Sequence, residues 1–291
     1  MIYLSPFKLQ CTVYAATVSA ALFLGSCATM DSDTPKGFSA MVGFENPDYA
    51  VGDPYDVTRQ KMDWTVRGKP SRMNAQTTQI TDKVAHNGTR SLKITYAANV
   101  QSVKQAAWAI DGAQSYTLSY ALQFEDGFAF NGQSSAESGK NGGKLPGLAG
   151  RGVDGSLCSG GMNCANGGGF TARLMWRTDG EAVLYLYDHL KSLNGRKWGE
   201  NIAFKNNSRF IPGRWHHIKQ TVTLNTPGQA NGRIDIWMDG QKTVTVKDRE
   251  IVARGEDIDT VLFSTFFGGN SQPWFPSTPQ TAYFDDFAVR P

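Results

Sequence analysis

The chain of 291 residues is 40% hydrophobic, which is enough apolar material to bury a sizeable core. Its formal net charge of +3 is too small to favour a nucleic-acid partner. The 31 glycines and the 11% aromatic content are typical of a β-rich protein with many turns. One large domain and two smaller ones both fit this length, and we favour a single domain over residues 38–291.

The first residues have the pattern of a secretory signal. Lys8 precedes an apolar run, from Cys11 to Leu24, that is too short for a comfortable membrane span and ends in small residues. We therefore interpret residues 1–26 as a signal peptide that is removed on export. No other segment of the sequence is long and apolar enough to cross a membrane.

The end of this segment, LGSC, resembles a bacterial lipobox. In that interpretation Cys27 becomes the lipidated first residue of the mature chain, and residues 27–37 form a polar tether. The alternative is ordinary cleavage near Ala28. The sequence thus predicts an exported protein, either an outer-membrane-anchored lipoprotein or a periplasmic or extracellular protein, with a lipid anchor as its only membrane contact.

Cysteine usage agrees with export. Cys11 and Cys27 belong to the signal region, so the mature fold keeps only Cys158 and Cys164. Their C-x5-C spacing within a glycine-rich loop predicts a local disulfide in an oxidising compartment. A zinc site would need further ligands nearby, and the sequence offers none there.

From residue 38 onward the chain alternates between short β segments and turn signals. The segments include HNGTRSLKITYA, SYTLSYALQFED, RWHHIKQTVTLN, GRIDIWMDGQKTVTV, TVLFSTFFGG and TAYFDDFAV. Such repeated short runs predict an all-β fold, a β-jelly roll or concanavalin-like sandwich of two antiparallel sheets. We interpret Pro54–Thr81 as a loop with at most one strand, and Trp215 and Trp237 as packing residues of the core or of a sheet face.

Two strands in the central stretch, GGGFTARLMWR and EAVLYLYDH, alternate with a period of two. The side chains on the predicted core face are Phe170, Ala172, Leu174, Trp176, Ala182, Leu184 and Leu186. Those on the opposite, exposed face are Thr171, Arg173, Met175, Arg177, Val183, Tyr185 and Tyr187. Just upstream, Lys144 lies in a loop flanked by glycine and proline that could bring its ammonium group over this face.

The segments GGKLPGL, the cysteine loop, FTARLMWR and LYLY, in this order and at this spacing, resemble the core of the family 14 polysaccharide lyases. That family consists of alginate and related polyuronate lyases with a β-jelly-roll fold. The resemblance is strongest over Asn141–Tyr187 and continues more loosely to Pro291 through FFGG and FDDF.

The resemblance implies an active site of Lys144, Arg173, Tyr185 and Tyr187. Thr171 stands where the family pattern often has serine, so a hydroxyl group is retained as a substrate contact. Lytic cleavage of a polyuronate removes the weakly acidic proton at C5 and expels the 4-linked sugar oxygen. Arg173 suits neutralisation of the carboxylate on C5, because a guanidinium holds a carboxylate in a bidentate fork.

The reaction also needs a base for the C5 proton and an acid for the leaving oxygen. Lys144 and Arg173 would favour the phenolate form of a neighbouring tyrosine, lowering its pKa from about 10. We prefer Tyr187 as the proton shuttle, with Tyr185 positioning the substrate or sharing the transfer. Lys144 either stabilises the anion or is itself the base, and the sequence does not rank these roles.

Three further residues are candidate contacts for an anionic sugar chain. They are Arg177, His189 and Asn270. For each of them the alternative is a solvated surface position without a substrate role.

The lyase chemistry requires no cofactor, and no metal is predicted in the active site. A structural calcium ion (Ca2+) is nevertheless possible at Asp285 and Asp286, with Glu45 from the other end of the chain, since calcium prefers several oxygen ligands. The alternative is that these carboxylates cap local backbone groups.

Other functions are weighed against the lyase. A glycoside hydrolase needs two carboxylates on one face, and within the cluster of Glu256, Asp257 and Asp259 the first and last fall on opposite faces. A non-catalytic carbohydrate-binding jelly roll and a glucuronan lyase remain alternatives to an alginate lyase. The predicted partner is an anionic polysaccharide, and the protein is predicted to be a monomer.

Overall fold

The computed structural model describes residues 39–135, 139 and 141–291. The predicted signal peptide, the lipidation site Cys27 and the tether therefore lie outside the described residues. Among the helices of the described part, none combines the length and the apolar character that a membrane span requires.

The regular secondary structure of the described chain consists almost entirely of β-strands. They are β1 (Ala40–Val42), β2 (Thr65–Ser71), β3 (Thr78–Thr81), β4 (Ser91–Tyr96), β5 (Lys104–Ala113), β6 (Ser115–Phe124), β7 (Gly143–Arg151), β8 (Gly169–Trp176), β9 (Ala182–Tyr187), β10 (Glu200–Ala203), β11 (Trp215–Thr223), β12 (Gly232–Met238), β13 (Gln241–Arg249), β14 (Ile258–Phe267) and β15 (Gln280–Arg290). The α-helices are short, α1 (Val57–Asp63) and α2 (His189–Leu193), and 3-10 turns occur at Thr178–Gly180, Lys205–Asn207 and Gln272–Trp274.

The strands form two antiparallel sheets. The first has the order β13-β12-β11-β6-β15-β4-β3, with β1 added against β15. The second has the order β10-β9-β8-β7-β14-β5-β2. The prediction of an all-β sandwich of two antiparallel sheets is thus confirmed.

One apolar cluster contains side chains from both sheets, which shows that the sheets pack face to face. Trp176 of β8 lies 5.3 Å from Phe124 of β6, measured between ring centroids. Trp108 of β5 lies 5.4 Å from Phe287 of β15 in the same way. Large aromatic rings such as these contribute a large buried apolar area between the layers.

The region Pro54–Thr81 contains more structure than the loop we expected, namely α1, β2 and β3. Helix α1 starts at the N-cap Asp56, whose side chain accepts hydrogen bonds from the backbone N–H groups of the first turn. Gln60 anchors the helix, because its side-chain amide donates to the Tyr55 carbonyl and accepts from Trp108 Nε1. Packing stabilises this short helix more than its own sequence does.

Trp237 lies on the outer face of the first sheet, half buried. The ammonium groups of Lys219 and Lys242 lie 4.1 Å and 4.6 Å from its ring centroid. The aliphatic stems of both lysines can therefore cover the indole, as expected for a packing residue on a sheet face.

Candidate active site

A cleft of about 650 Å³ lies on the face of the second sheet that points away from the core. Its polar lining side chains are Gln101, Gln105, Lys144, Ser159, Arg173, Arg177, Tyr185, Tyr187, Asn201 and Asn270. Its aromatic lining side chains are Phe266, Trp198 and Trp274, beside the tyrosines. Within the described residues, this lining carries three cationic side chains and no carboxylate.

The predicted alternation along β8 and β9 is confirmed. The core-facing side chains of both strands all belong to the large apolar cluster between the sheets. On the other face, Met175, Val183, Tyr185 and Tyr187 form a second, smaller cluster with the cysteines. In the β8–β9 pairing Arg173 is the direct neighbour of Tyr185, so the guanidinium and the phenols share one surface.

Lys144 is the second residue of β7 rather than part of a loop, which corrects the sequence-based expectation. It pairs with Met175 across the β7–β8 ladder. Its Nζ lies 2.8 Å from Met175 Sδ and 3.7 Å from the ring centroid of Tyr185. The expected outcome is retained, because the strand still brings the ammonium group over the tyrosine face.

The tyrosine face is buried, although the sequence suggested an exposed one. Arg173 is 4% exposed, Tyr185 7% and Tyr187 2%. The backbone next to β10 covers the phenol rings, since a Cβ added at Gly199 would lie 2.7 Å from Tyr187 Cε2. These side chains therefore lie in a desolvated environment, where electrostatic interactions are stronger than in water.

Burial changes the ionisation of the cations. Desolvation, reinforced by the charges of Arg173 and Arg177, holds the pKa of Lys144 well below its usual range. Burial also lowers the pKa of Arg173 and Arg177. In the described part of the chain none of the three has a carboxylate at ion-pair distance; Lys144 contacts a thioether and a ring instead.

Arg173 keeps donor groups available. Its Nη1 donates to Ser264 Oγ at 3.2 Å, and its Nε is buried with no partner among the described residues. An unpaired buried donor costs about 1–3 kcal/mol, so a bound acceptor at this place would be stabilised.

The two tyrosines interact with each other. Their hydroxyl oxygens are 3.3 Å apart, and their rings meet at 88° with centroids 5.3 Å apart. Burial raises the pKa of Tyr185, and the neighbouring phenol of Tyr187 adds to this effect while Arg177 and Arg173 oppose it. Desolvation thus outweighs the cations, and Tyr185 is protonated at neutral pH, contrary to the phenolate favoured by the sequence argument.

The profile of one protein family, Polysaccharide lyase 14, matches residues 73–287. The chain belongs to polysaccharide lyase family 14. The match covers most of the strands that build the two sheets and all those that supply the catalytic candidates, so the resemblance inferred from the central motifs is confirmed. No protein with curated annotation matches the chain by sequence.

Solved structures of lyases share the fold of this family 14 lyase. Alginate lyase Aly36B has a TM-score of 0.68 at 21% identity, covering 87% of this chain and 96% of that chain. The PL-14 alginate lyase from Aplysia kurodai has a TM-score of 0.65 at 23% identity, covering 87% and 98%. The endo-β-1,4-glucuronan lyase from the fungus Trichoderma reesei is more distant, with a TM-score of 0.52 at 11% identity, covering 87% and 94%. At these identities the similarity concerns the fold.

The predicted disulfide Cys158–Cys164 is present in the lyase, with its Cα atoms 5.6 Å apart. It belongs to the small cluster that contains both tyrosines. Thr171 is buried beneath this loop, and its hydroxyl donates to the Cys158 carbonyl at 2.9 Å. Thr171 therefore holds the disulfide loop against the sheet, and it does not line the cleft.

The other predicted contacts divide into two groups. Arg177 and Asn270 line the cleft, and Arg177 Nε donates to Asn201 Oδ1 at 3.0 Å. His189 is the first residue of α2 and is not part of the cleft lining; its Nδ1 is buried without a partner in the described structure.

Sequence reasoning missed several residues that line the cleft. They are Gln101, Gln105, Ser159, Trp198, Asn201 and Phe266. Asn201 lies on β10, a four-residue strand whose segment ENIA carries too little alternation to be recognised. Gln105 and Phe266 alternate with core residues on β5 and β14, so the sequence could have placed them on the face away from the core. The sequence could not show that β14 pairs with β7, which brings them to the cleft.

The acidic cluster near residue 256 lies outside the cleft. Asp259 forms an ion pair with Arg67 at 2.5 Å, and Glu256 accepts a hydrogen bond from the backbone of Arg254. Asp257 accepts from Gln114. These carboxylates line a separate depression and are engaged by local donors, which agrees with the rejection of a hydrolase.

The carboxylates considered for calcium accept local hydrogen bonds. Glu45 accepts from the backbone N–H groups of Thr89 and Arg90, and Asp285 accepts from the N–H groups of His86 and Asp286. In the described residues no group of three or more histidine, cysteine or acidic side chains could hold a metal ion. These contacts are the backbone caps of the alternative interpretation, and a calcium ion remains a prediction.

Proposed function

We propose that this polysaccharide lyase cleaves alginate by β-elimination in the cleft over Arg173, Lys144, Tyr185 and Tyr187. One observation carries the proposal. The cleft buries cationic groups without a carboxylate partner, and buried charges are stable only when they are paired or neutralised. A uronate supplies the missing anion.

The carboxylate of the reacting sugar binds at Arg173. Its Nε has no partner among the described residues, so the guanidinium can donate to a carboxylate oxygen there. Neutralising the carboxylate makes the C5 proton more acidic, because the charge that develops during its removal is delocalised onto those oxygens. Donors fixed before the reaction give the largest stabilisation.

Lys144 is the base of the proposed reaction. Burial and the nearby guanidinium groups hold its pKa well below its usual range, which favours the unprotonated amine relative to an ordinary lysine, and an unprotonated amine can accept the C5 proton. The electrons of the broken C5–H bond form the C4–C5 double bond, and the C4–O bond breaks. With this proton Lys144 becomes an ammonium group, which lies beside the ring of Tyr185.

The tyrosine pair supplies the proton for the leaving oxygen. Tyr185 is held protonated by burial, and its hydroxyl lies next to that of Tyr187, so either phenol can donate and be reprotonated through the other. We assign the transfer to Tyr187, in agreement with its role as proton shuttle in the sequence argument. The products are an unsaturated uronate and a new hydroxyl end, without consumption of water.

Alginate is proposed as the polymer because of the neighbouring structures. Alginate lyases have the higher TM-scores, whereas the glucuronan lyase is a more distant neighbour. The glucuronan lyase and the non-catalytic binding protein are the competing possibilities. We also propose that the enzyme acts as a monomer.

We also propose that the protein is exported, either anchored through Cys27 or free in the periplasm or medium. The Cys158–Cys164 disulfide supports an oxidising compartment. The signal-like residues 1–26 support export independently.

The decisive experiment incubates the purified protein with alginate, glucuronan, polygalacturonate and a neutral glucan. Elimination gives a conjugated double bond with strong ultraviolet absorbance, and products that are one water lighter than hydrolysis products. We expect this signal with alginate above all. Turnover of glucuronan in preference would replace the substrate, saturated products would indicate hydrolysis, and binding without any product would support the non-catalytic alternative.

A further inference from the structure

Trp198 is an unusual surface residue. Among the described residues nine large hydrophobic side chains are exposed, and Trp198, at 55%, is the only aromatic one. It also lines the catalytic cleft, on the wall formed with Ser159 and Gly160 of the disulfide loop. An indole left in water at the edge of a binding cleft is a surface on which an apolar ligand face could be buried.

The position of this tryptophan is fixed by its neighbours in the chain. Arg196 pairs with Glu200 at 3.0 Å, and Glu200 also pairs with Arg249 at 2.8 Å. Arg249 in turn pairs with the buried Asp188. Trp198 lies between the two members of the first pair, so its backbone is held at both sides and little ordering is needed when a ligand binds.

The disulfide loop supports the ring from below. A Cβ added at Gly161 would lie 3.2 Å from Trp198 Cζ3, so the edge of the indole is in contact with the loop backbone. The cysteine bridge and Lys191, whose Nζ donates to the Met162 carbonyl at 2.9 Å, hold that loop in place. The indole therefore rests on a fixed surface while more than half of it is open.

A cation accompanies the ring. Lys197 Nζ lies 5.2 Å from the Trp198 centroid, within the range of a cation–π contact. The neighbouring Arg196 is neutralised by its ion pair, but Lys197 forms no ion pair in the part of the chain that the structure describes. The site thus combines an apolar platform with an uncompensated positive charge.

We infer that Trp198 and Lys197 form a binding subsite for a uronate residue of the polymer away from the bond that is cleaved. A pyranose ring presents C–H groups on one face, which pack on an indole, and its carboxylate projects from the ring edge toward a neighbouring ammonium group. The inference rests on the proposed function, since it takes the same polyuronate as the ligand. In this inference, this wall of the cleft binds the polymer and takes no part in the elimination reaction.

The test compares Trp198→Ala with Trp237→Ala as a matched control. Trp237 also has lysine ammonium groups at its ring, but it lies on the outer face of the other sheet. Binding is measured by retardation in gels that contain alginate or a neutral glucan. Kinetics are measured on the polymer and on an alginate trisaccharide, and thermal melts establish that each variant is folded.

We expect Trp198→Ala to lose retardation by alginate and to raise KM for the polymer about tenfold, the scale of one aromatic contact. The effect on the trisaccharide is expected to be much smaller, because a short ligand can bind at the reaction centre without occupying a subsite away from the cleaved bond. Trp237→Ala should match the wild type. Lys197→Gln should raise KM for the polymer by up to about fivefold at low salt, and less at high salt.

The outcomes separate the subsite from the reaction. If the wild type eliminates alginate and Trp198→Ala has the wild-type KM and retardation, the subsite is refuted while the proposed function stands. If the wild type is retarded but forms no unsaturated product, the reaction fails, and the retardation of Trp198→Ala alone decides the subsite. A wild type that alginate does not retard, or an equal loss in Trp237→Ala, also overturns the inference.

Discussion

Lys144 shows how burial changes the ionisation of a residue type that is usually found on the surface. In water its ammonium form dominates at neutral pH, because the reference pKa is about 10.4. In the cleft the charged form loses hydration and lies near two guanidinium groups, and its nearest partners are a thioether and an aromatic face. None of these replaces a carboxylate, so the charged form is destabilised and the pKa of Lys144 is held well below its usual range.

The pH dependence of catalysis should report this amine. The base must be unprotonated, so kcat/KM should rise with pH through the lowered pKa of Lys144 and then level off. Arg177→Gln removes one of the positive charges that depress this pKa. The pKa of Lys144 should therefore rise, and the ascending limb should move to higher pH. If the ascending limb of the profile lies at the same pH in the wild type and in Arg177→Gln, Lys144 is not the base.

Tyr187 can be tested by a change of one oxygen atom. Tyr187→Phe keeps the ring that packs beside the disulfide and loses the hydroxyl 3.3 Å from that of Tyr185. We expect kcat to fall about 100-fold while alginate still binds, because proton transfer is lost and ring packing is retained.

The control for this substitution is Tyr96→Phe. Tyr96 is also a buried tyrosine with a hydroxyl hydrogen bond, to Thr265 at 2.5 Å, but it lies between the sheets. Its loss should lower the melting temperature and leave kcat unchanged. A folded Tyr187→Phe protein with nearly full lyase activity would show that the proton donor lies elsewhere.

The disulfide loop connects local covalent structure to the cleft. The bridge packs with both tyrosines, the Thr171 hydroxyl holds the Cys158 carbonyl, and Ser159 lines the cleft directly. The loop is short, so the bridge restricts the unfolded chain only modestly, and a few kcal/mol is the upper limit of its stabilisation. Its main effect should be on the geometry above β8 and β9.

Replacing both cysteines with serine should therefore impair activity more than stability. We expect kcat/KM on alginate to fall several-fold while the melting temperature drops by only about 2–4 °C, as for a loss near 1 kcal/mol in a domain of this size. Treating the wild type with a reductant should reproduce the loss, and the double variant should not respond to it. Two free thiols in the exported protein, found by mass analysis, would contradict the bridge itself.

The strands that carry the catalytic candidates were predictable because their signal is local. Alternation with a period of two along β8 and β9 identifies which side chains share a face, whatever the strands pair with. Helix α1 shows the opposite case. Its stability depends on the contact between Gln60 and Trp108, which are 48 positions apart, and no local pattern records that contact.

The arrangement of the strands in the whole molecule determines which residues form the second wall of the cleft, and the central motifs alone do not show this. The order β8-β7-β14-β5 pairs Phe266 with Lys144 and brings Gln105 into the same cleft, although these residues are far apart in the sequence. Sheet register depends on long-range pairing, so the second wall of the cleft was largely invisible to the sequence argument. The burial of the two tyrosines could not be predicted from the sequence either. The segment that covers them follows the short helix α2, and the position of α2 depends on the disulfide loop.

The distribution of charge also belongs to the whole molecule. The formal net charge is only +3, yet the cleft gathers Lys144, Arg173 and Arg177 with no acidic lining residue in the described part of the chain. Clefts lined by one sign of charge focus the electrostatic field and attract ligands of the opposite sign. Local concentration of charge, rather than an overall basic character, thus suits the protein to a polyanionic substrate.

A lipid anchor would determine where the enzyme encounters its polymer, and substitution of Cys27 tests whether the anchor exists. If Cys27 is lipidated, its acyl chains hold the protein at a membrane, since each buried CH2 group adds to the affinity. Cys27→Ser should then release the lyase from the membrane fraction or block its processing, as measured by fractionation and intact mass. Cys11→Ser, a change within the apolar run of the signal, should leave the anchored form unchanged. Equal soluble secretion of the wild type and Cys27→Ser would leave a free enzyme, cleaved near Ala28, as the alternative.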